Sequence, residues 1–337
     1  MTHLIHPHYR DYPTSLYASI GEELNLGSFK KCEIIQPLWS GYGQLVRIHF
    51  TQGTVIIKHV QLPKSQQHPR GWNSDRSHQR KLRSYQVETA WYQRTNTHID
   101  QRCRSPKGLK CLQTDHSWLI VMEDLAKSGY PVTLTIANTK QIQLCLAWLA
   151  HFHARYIGEY DPTLWPTGTY WHLATRPDEL DALQDHKLKA YAKRIDKSLA
   201  QVRFSTLVHG DAKLANFCFN QDDTKVAAVD FQYVGHGCAM KDLALFMSSA
   251  IAPEKWAEME SWLLDHYFAI LADAIAYYQP HLDSREIELE WRPLFVVAWA
   301  DFHRFIKGWS PNHWKINNYT EQIACRAIHF LDPDFSS

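Results

Sequence analysis

The sequence predicts an α+β molecule of two lobes, a small antiparallel sheet first and a larger, mainly helical part after it. Three observations carry this. Strand-like runs crowd into the first part of the chain, at 31–62 and 117–125, with glycines at the turns. Long segments with helical apolar spacing fill 139–158, 183–202, 254–278 and 292–309. The 337 residues, 45% apolar and 21% charged, suffice for two cores and argue against disorder. The boundary is expected near 123–130, giving an N-lobe of 1–123 and a C-lobe of 124–337.

Taken in order, residues 13–26 have helical spacing, with Thr14 or Ser15 as the cap. Three strands follow in 31–62, Gly41 and Gly43 marking the first turn and Gln52-Gly53 the second. Residues 64–73, rich in Gln, Pro and Lys, read as an exposed loop. Leu82, Tyr85, Val87, Trp91 and Tyr92 restore a helical stripe over 77–96. The run "SWLIVMEDL" is short enough for a buried strand. Beyond Leu125 helices dominate, interrupted by short strands at 205–210, 217–220 and 225–231.

A formal net charge of +1 provides no global field to attract nucleic acid. The charge is uneven: 59–114 holds eleven Lys/Arg against three acids, and 251–301 holds ten acids against three Lys/Arg. Solvated faces of opposite sign are the simpler account. Seven widely spaced cysteines without a C-x-x-C pair suit reduced thiols and a cytoplasmic protein. His151 and His153 sit in an apolar helical segment and read as packed histidines before metal ligands. The first residues lack the apolar stretch of a signal peptide, and no run is long enough to span a bilayer. No membrane partner is expected, and oligomeric state stays open.

The chemistry is concentrated in "LVHGDAKLANF", residues 207–217. One His, one Asp, one Lys and one Asn share eleven positions on a loop between strands. Nineteen residues after Asp211, Asp230 closes the apolar run "VAAV". The spacing His209-Gly210-Asp211 to Asn216, then Asp230-Phe231, resembles the H-R-D-x-x-x-x-N and D-F-G motifs of protein kinases. Glycine in the second position and the following "GHGCAMKDLALFM" resemble more closely the aminoglycoside phosphotransferase and choline-kinase superfamily. Within it the chain is most similar to the ecdysteroid-kinase-like branch, where H-G-D-x-x-x-x-N, D-F-Q and D-L-A follow one another. The likeness runs from about residue 39 to 247 and implies a two-lobed protein-kinase-like fold.

What the resemblance implies is specific. Asp211 would take the proton of the acceptor hydroxyl as it attacks the γ-phosphate of ATP. Asn216 and Asp230 would hold Mg²⁺, whose preference is for hard oxygens. Lys213 would neutralise charge on the transferring group, while His209 and Asp242 support the loop. In the N-lobe "VIIK" matches the V-A-I-K strand and makes Lys58 the phosphate ligand. Glu88, the only glutamate between Lys58 and Met122, is its expected partner. Gly41 and Gly43 stand for the glycine-rich loop, with Val46 in place of its third glycine. Glu123 and Leu125 would offer backbone groups to adenine.

Gln232 replaces the glycine of D-F-G, and the stretch 231–242 is too short for a peptide-docking segment. Both favour a small-molecule alcohol as acceptor: choline-like, aminoglycoside-like, sugar or steroid. An ATP-binding regulatory module without transfer activity, and less readily a protein kinase, are the alternatives. For the acceptor pocket, Trp299, Asp301, Phe305 and Trp309 offer aromatic faces and a carboxylate, which suit an ammonium group. The same spacing also describes a helix burying one face, and that reading is the stronger.

Overall fold

The structure, a computed structural model, describes residues 14–38, 41–61, 75–94, 100–114 and 117–334. The expected loop at 64–73 lies outside them. Helix α1 (Thr14–Glu23) precedes β1 (Phe29–Pro37), β2 (Gly43–Phe50) and β3 (Thr54–Gln61); α2 (Asp75–Arg94), β4 (Gly108–Gln113) and β5 (Ser117–Glu123) follow. The five strands form one antiparallel sheet in the order β1-β2-β3-β5-β4. Alternation along β3 divides its side chains between two faces. Val55 and Ile57 join Tyr17 and Ile20 of α1, while Val60 meets Tyr85 of α2 and Trp118 of β5. Lys58 is two positions from Val60 and therefore turns toward α2.

The rest is mainly helical: α3 (Thr139–Arg155), α4 (Pro177–Ala182), α5 (His186–Ala200), α6 (Met240–Ala250), α7 (Trp256–Tyr278), α8 (Ser284–Trp309) and α9 (Asn318–Leu331). A capping box starts α3, the Asn138 side chain accepting the Gln141 amide and Gln141 returning the bond. Short strands carry the loops: β6 (Val132–Thr133), β7 (Thr206–Val208), β8 (Phe217–Phe219), β9 (Val226–Ala228) and β10 (Gly235–Gly237). Strand β7 pairs with β10, and β8 with β9. Among the described residues no helix is long and apolar enough to cross a membrane.

Two differences from the sequence reading have clear causes. Helix α8 begins at Ser284, not near residue 292, because Asp283 caps it by accepting the Arg285 amide at 2.8 Å and Pro293 is carried inside. The charged face of 284–290 hides its periodicity. The basic bias of 59–114 is largely consumed within the fold. Arg80 donates to the Thr175 carbonyl, Arg83 to those of Thr163 and Leu164, and Arg94 pairs with Glu159 and Asp161. These contacts fasten α2 to the helical lobe.

Candidate active site

Strand β7 delivers the chain into His209-Gly210-Asp211, and the loop is held from below by one carboxylate. Asp242, on the first turn of α6, accepts the His209 amide at 2.6 Å and the Gly210 amide at 2.9 Å. His153 of α3 reaches the same carboxylate at 3.1 Å and meets the Tyr267 hydroxyl at 2.8 Å. The histidine is thus hydrogen-bonded within the core. His209 donates from Nε2 to the Val229 carbonyl at 3.0 Å, while its Nδ1 accepts the Asp211 amide at 3.2 Å. That pattern is the neutral tautomer, and burial lowers the imidazole pKa in agreement.

Gly210 has φ +79°, and a Cβ there would lie 2.0 Å from the Tyr233 carbonyl oxygen and 2.8 Å from the Thr169 amide nitrogen. Both neighbours are backbone and have no room to yield, so this turn requires glycine. Gly210→Ala is therefore expected to destabilise the protein by more than about 2 kcal/mol, read as a lowered thermal midpoint. An unchanged midpoint would contradict this loop geometry.

The β8–β9 hairpin sets the remaining acids. Asn216 immediately precedes β8 and Val229 follows β9, and the Val229 amide donates to the Asn216 carbonyl at 2.9 Å. Asn216 and Asp230 therefore sit at the same end of one hairpin. Asn216 donates its side-chain amide to the Asp211 carbonyl at 2.8 Å and to the Asp211 carboxylate at 3.1 Å. Lys213 meets that carboxylate at 2.8 Å. Burial raises the Asp211 pKa and the charge of Asp230 adds to this, against the pull of Lys213. Asp230 has φ +70°, a turn that aims its carboxylate at β3.

There the lobes meet. The Lys58 ammonium is 2.8 Å from Glu88 and 2.8 Å from Asp230. One cation serves two carboxylates, Glu88 buried and Asp230 partly exposed. Burial alone would lower the Lys58 pKa, but the two carboxylates raise it, so the ammonium stays charged. Asp230 falls below the ordinary carboxylate range: burial would raise it, but Lys58 and Lys213 outweigh that. Glu88, more deeply buried and beside the Asp230 charge, is pushed up to about 7 despite Lys58. Of the arginines that might have neutralised Glu88, Arg80, Arg83 and Arg94 point elsewhere, as described above.

Gln232 locks the next step. Its Nε2 donates to Asp230 at 2.6 Å, and its Oε1 accepts from Lys81 at 2.8 Å and from Ser84 at 3.2 Å. Phe231 is buried and stacks on Trp91 with ring centroids 4.5 Å apart.

At the nucleotide end, Gly43 opens β2 with φ +123°, and a Cβ there would strike the His59 carbonyl oxygen at 2.0 Å. Gly41, φ +74°, has open space around it. The Glu123 amide already donates to the Lys107 carbonyl at 2.9 Å, which removes it as a donor to a base. Its carboxylate is held by Arg104 at 2.5 and 2.6 Å. The amide of Leu125 has no acceptor among the described residues.

On the acceptor side one expectation is corrected. Trp299 is 1% exposed and packs against Trp256, Phe295 and Tyr319. Asp301 is fully buried, bonded to Arg304 at 2.7 Å and to the Trp171 indole at 3.1 Å, with Lys241 at 3.7 Å. Neither residue lines a pocket, because α8 turns this face into the core. Phe305 does approach the loop: its ring is 5.6 Å from that of Tyr170, whose amide donates to the Gly210 carbonyl, and it stacks on Trp309 at 5.9 Å. Its ring, however, is buried and already carries the Arg176 guanidinium at 4.9 Å.

Three contributors escape a reading of the sequence. Asp124 accepts from Arg47 of β2 and Thr54 of β3, both at 2.8 Å, and so ties the linker to the sheet. Lys81 shares the α2 face of Tyr85 and Glu88, and that i, i+4, i+7 spacing is a signal that could have found it. Lys315, bonded to Ser248 of α6, lies beyond any motif. Asn216 oxygen and Asp230 Oδ2, the latter on a side chain 30% exposed, have no donor among the described residues. They are hard ligands of the number that Mg²⁺ takes from protein when phosphates supply the rest. No larger group of His, Cys, Asp or Glu able to hold a metal is present among the described residues.

Comparison with curated proteins finds no match. Among solved structures, a choline kinase from Streptococcus pneumoniae is similar with 14% identity and TM-score 0.46, over 95% of this chain and 99% of that one. A macrolide 2'-phosphotransferase from Brachybacterium faecium has 14% identity and TM-score 0.48, over 96% and 99%. An aminoglycoside phosphotransferase from Streptomyces rimosus, in complex with ADP and streptomycin, has 16% identity and TM-score 0.43, over 84% and 98%. Residues 168–279, the stretch that holds His209, Asp211, Asn216, Asp230 and Asp242, match the model of the ecdysteroid kinase-like family.

Proposed function

We propose that the protein is an ATP-dependent phosphotransferase that moves the γ-phosphate of ATP to a hydroxyl of a small molecule. The observation that carries this is the Lys58 ammonium, 2.8 Å from both Glu88 and Asp230, which joins the sheet lobe to the loop bearing Asp211. Phosphoryl transfer asks for positioning and charge neutralisation, and this arrangement supplies both. Lys58 would face the α- and β-phosphates, oriented by Glu88. Asn216 and Asp230 would hold Mg²⁺, which adds positive charge against the phosphates when bound. Asp211, kept in place by Asn216, accepts the acceptor's proton, and Lys213 screens the charge that develops beside it. Asp242 and His209 act through the loop backbone. Leu125, with the carbonyl of Glu123, remains for adenine, and Gly41 and Gly43 for the phosphate loop.

A small acceptor is favoured by the chain between Asp230 and Asp242. Val234, Cys238 and Ala239 are fully buried, so the stretch offers no free strand to an extended peptide.

The test is ADP formation from MgATP across amino alcohols, sterols, sugars, hydroxy acids and aminoglycosides, with Asp230→Ala alongside. The parent should turn over at least one acceptor. The variant should lose the strengthening of nucleotide binding by Mg²⁺. Nucleotide titrations of parent and variant that coincide with and without Mg²⁺ would remove Asp230 from the metal site.

A further inference from the structure

The charges on the acceptor side do not suit a cationic substrate. Asp211 is already matched by Lys213 at 2.8 Å, and the carboxylates buried behind it are paired as well, Glu179 with Arg176 at 2.9 Å and Asp301 with Arg304 at 2.7 Å. The aromatic faces nearest the loop already carry cations of the protein itself, Phe305 the Arg176 guanidinium at 4.9 Å and Phe302 the Lys315 ammonium at 5.2 Å. What is left over is positive. Lys315, in the turn between α8 and α9, donates to the neutral Ser248 hydroxyl at 2.9 Å and meets no carboxylate among the described residues. Its ammonium lies 5.2 Å from the Phe302 ring and 5.4 Å from the Trp314 ring. Ser248 is on α6 beside Ser249, whose hydroxyl accepts the amide of Leu214, so Lys315 stands next to the loop of Asp211 and Lys213. A half-buried ammonium without a counter-ion is costly. Burial indeed pulls it down to about 8, with Asp211 opposing and Lys213 adding to the shift.

We infer that the acceptor alcohol carries an anionic group, a carboxylate, phosphate or sulfate, and that Lys315 is the residue that binds it. The inference rests on the phosphotransferase reading above. The anion completes the charge balance at Lys315, and the hydroxyl of the same molecule is then presented to Asp211. Phe302 and Trp314 flank the ammonium and hold it in that position. Lys315 is thus a specificity residue, and its loss should show in acceptor affinity before turnover.

The test compares matched acceptors that differ only in one substituent: glycerol, glycerate and glycerol phosphate, with choline and ethanolamine as cationic counterparts. Substrate-dependent ADP formation is measured in the parent, Lys315→Met and Lys315→Arg, after melting curves establish that each is folded. A second readout fills the nucleotide site with a non-hydrolysable ATP analogue and Mg²⁺. Tryptophan emission is then followed during titration with sodium sulfate or choline chloride at constant ionic strength. An anionic acceptor should be used best, and Lys315→Met should raise its KM about tenfold or more, with kcat within about threefold. Lys315→Arg should restore most of the affinity, and sulfate should change the emission of the parent but not of Lys315→Met. Preference for a cationic or neutral acceptor, a KM indifferent to Lys315→Met, or a sulfate response equal in both proteins overturns the inference and leaves the phosphotransferase reading standing. Loss of that reading has a different signature, the absence of Asp211-dependent ADP formation with every acceptor. In that case the sulfate titration decides whether Lys315 binds an anion at all.

Discussion

Replacing Asp211 by asparagine is expected to lower kcat by about a hundredfold to ten-thousandfold, the usual contribution of a general base. The exchange is nearly isosteric, and the main-chain bond from Asn216 to the Asp211 carbonyl is untouched, so the loop should keep its shape. Lys213 loses its carboxylate but remains largely outside the core. Nucleotide affinity should therefore stay within about threefold of the parent, because a residue acting only in the transition state lowers kcat and kcat/KM together. The acidic limb of the kcat/KM profile provides an independent check. A base must be deprotonated to act, and burial raises the Asp211 pKa. Activity in the parent should thus fall with decreasing pH at a point above the ordinary carboxylate value of about 3.9, and that limb should disappear in the variant. Turnover by Asp211→Asn within about threefold of the parent would show that Asp211 is not the base.

The loop and its chemistry are legible in the sequence because they are local. His209, Asp211, Asn216 and Asp230 lie within 22 positions, and a strand–loop–hairpin path leaves them few ways to meet. The sheet was readable for a similar reason: alternation marks β2, and the glycine turns at 41–43 and 53 separate β1, β2 and β3 without long-range information. Strand β4 was not, since "GLKCLQ" has no clean alternation and is a strand only because β5 pairs with it. Helix α6 was hidden by its own burial, for a segment with nearly every residue inside has no polar face to reveal a period. The acceptor side failed differently. Whether an aromatic stripe on α8 meets a ligand or a neighbouring helix depends on which way the helix turns. Trp299 turned toward Trp256 and Tyr319, and Asp301 toward Arg304. Lys315 could not be singled out at all, because its neighbours Ser248 and Phe302 come from two other segments.

Lys58 and Glu88 provide the second large effect, and the geometry predicts its sign in each background. The pair is buried, with one ammonium held between Glu88 and Asp230. Removing one partner of a buried pair typically costs about 3–5 kcal/mol, since the other charge is left without compensation. Lys58→Met should incur this loss in stability and also abolish tight MgATP binding. Glu88→Gln should cost less, because the glutamine oxygen can still accept from Lys58, and its main effect should be on the position of Lys58 and hence on kcat/KM for ATP. The informative protein is the double variant. With Lys58 gone, Glu88 and Asp230 are two carboxylates sharing one buried site, and Glu88 is already the group driven upward in pKa. Making it neutral should then relieve repulsion, so Glu88→Gln should stabilise Lys58→Met although it destabilises the parent. The coupling should fall in the range of about 0.5–3 kcal/mol found for residues in one network, measured from melting or denaturant curves of the four proteins. The same reversal should weaken as pH falls and Glu88 takes up a proton without help from mutation, and it should do so at a higher pH than Glu88 titrates in the parent, because Lys58 is what holds its pKa down. Losses that simply add, at every pH, would mean that the two side chains act independently and that Lys58 is not positioned for phosphate by Glu88.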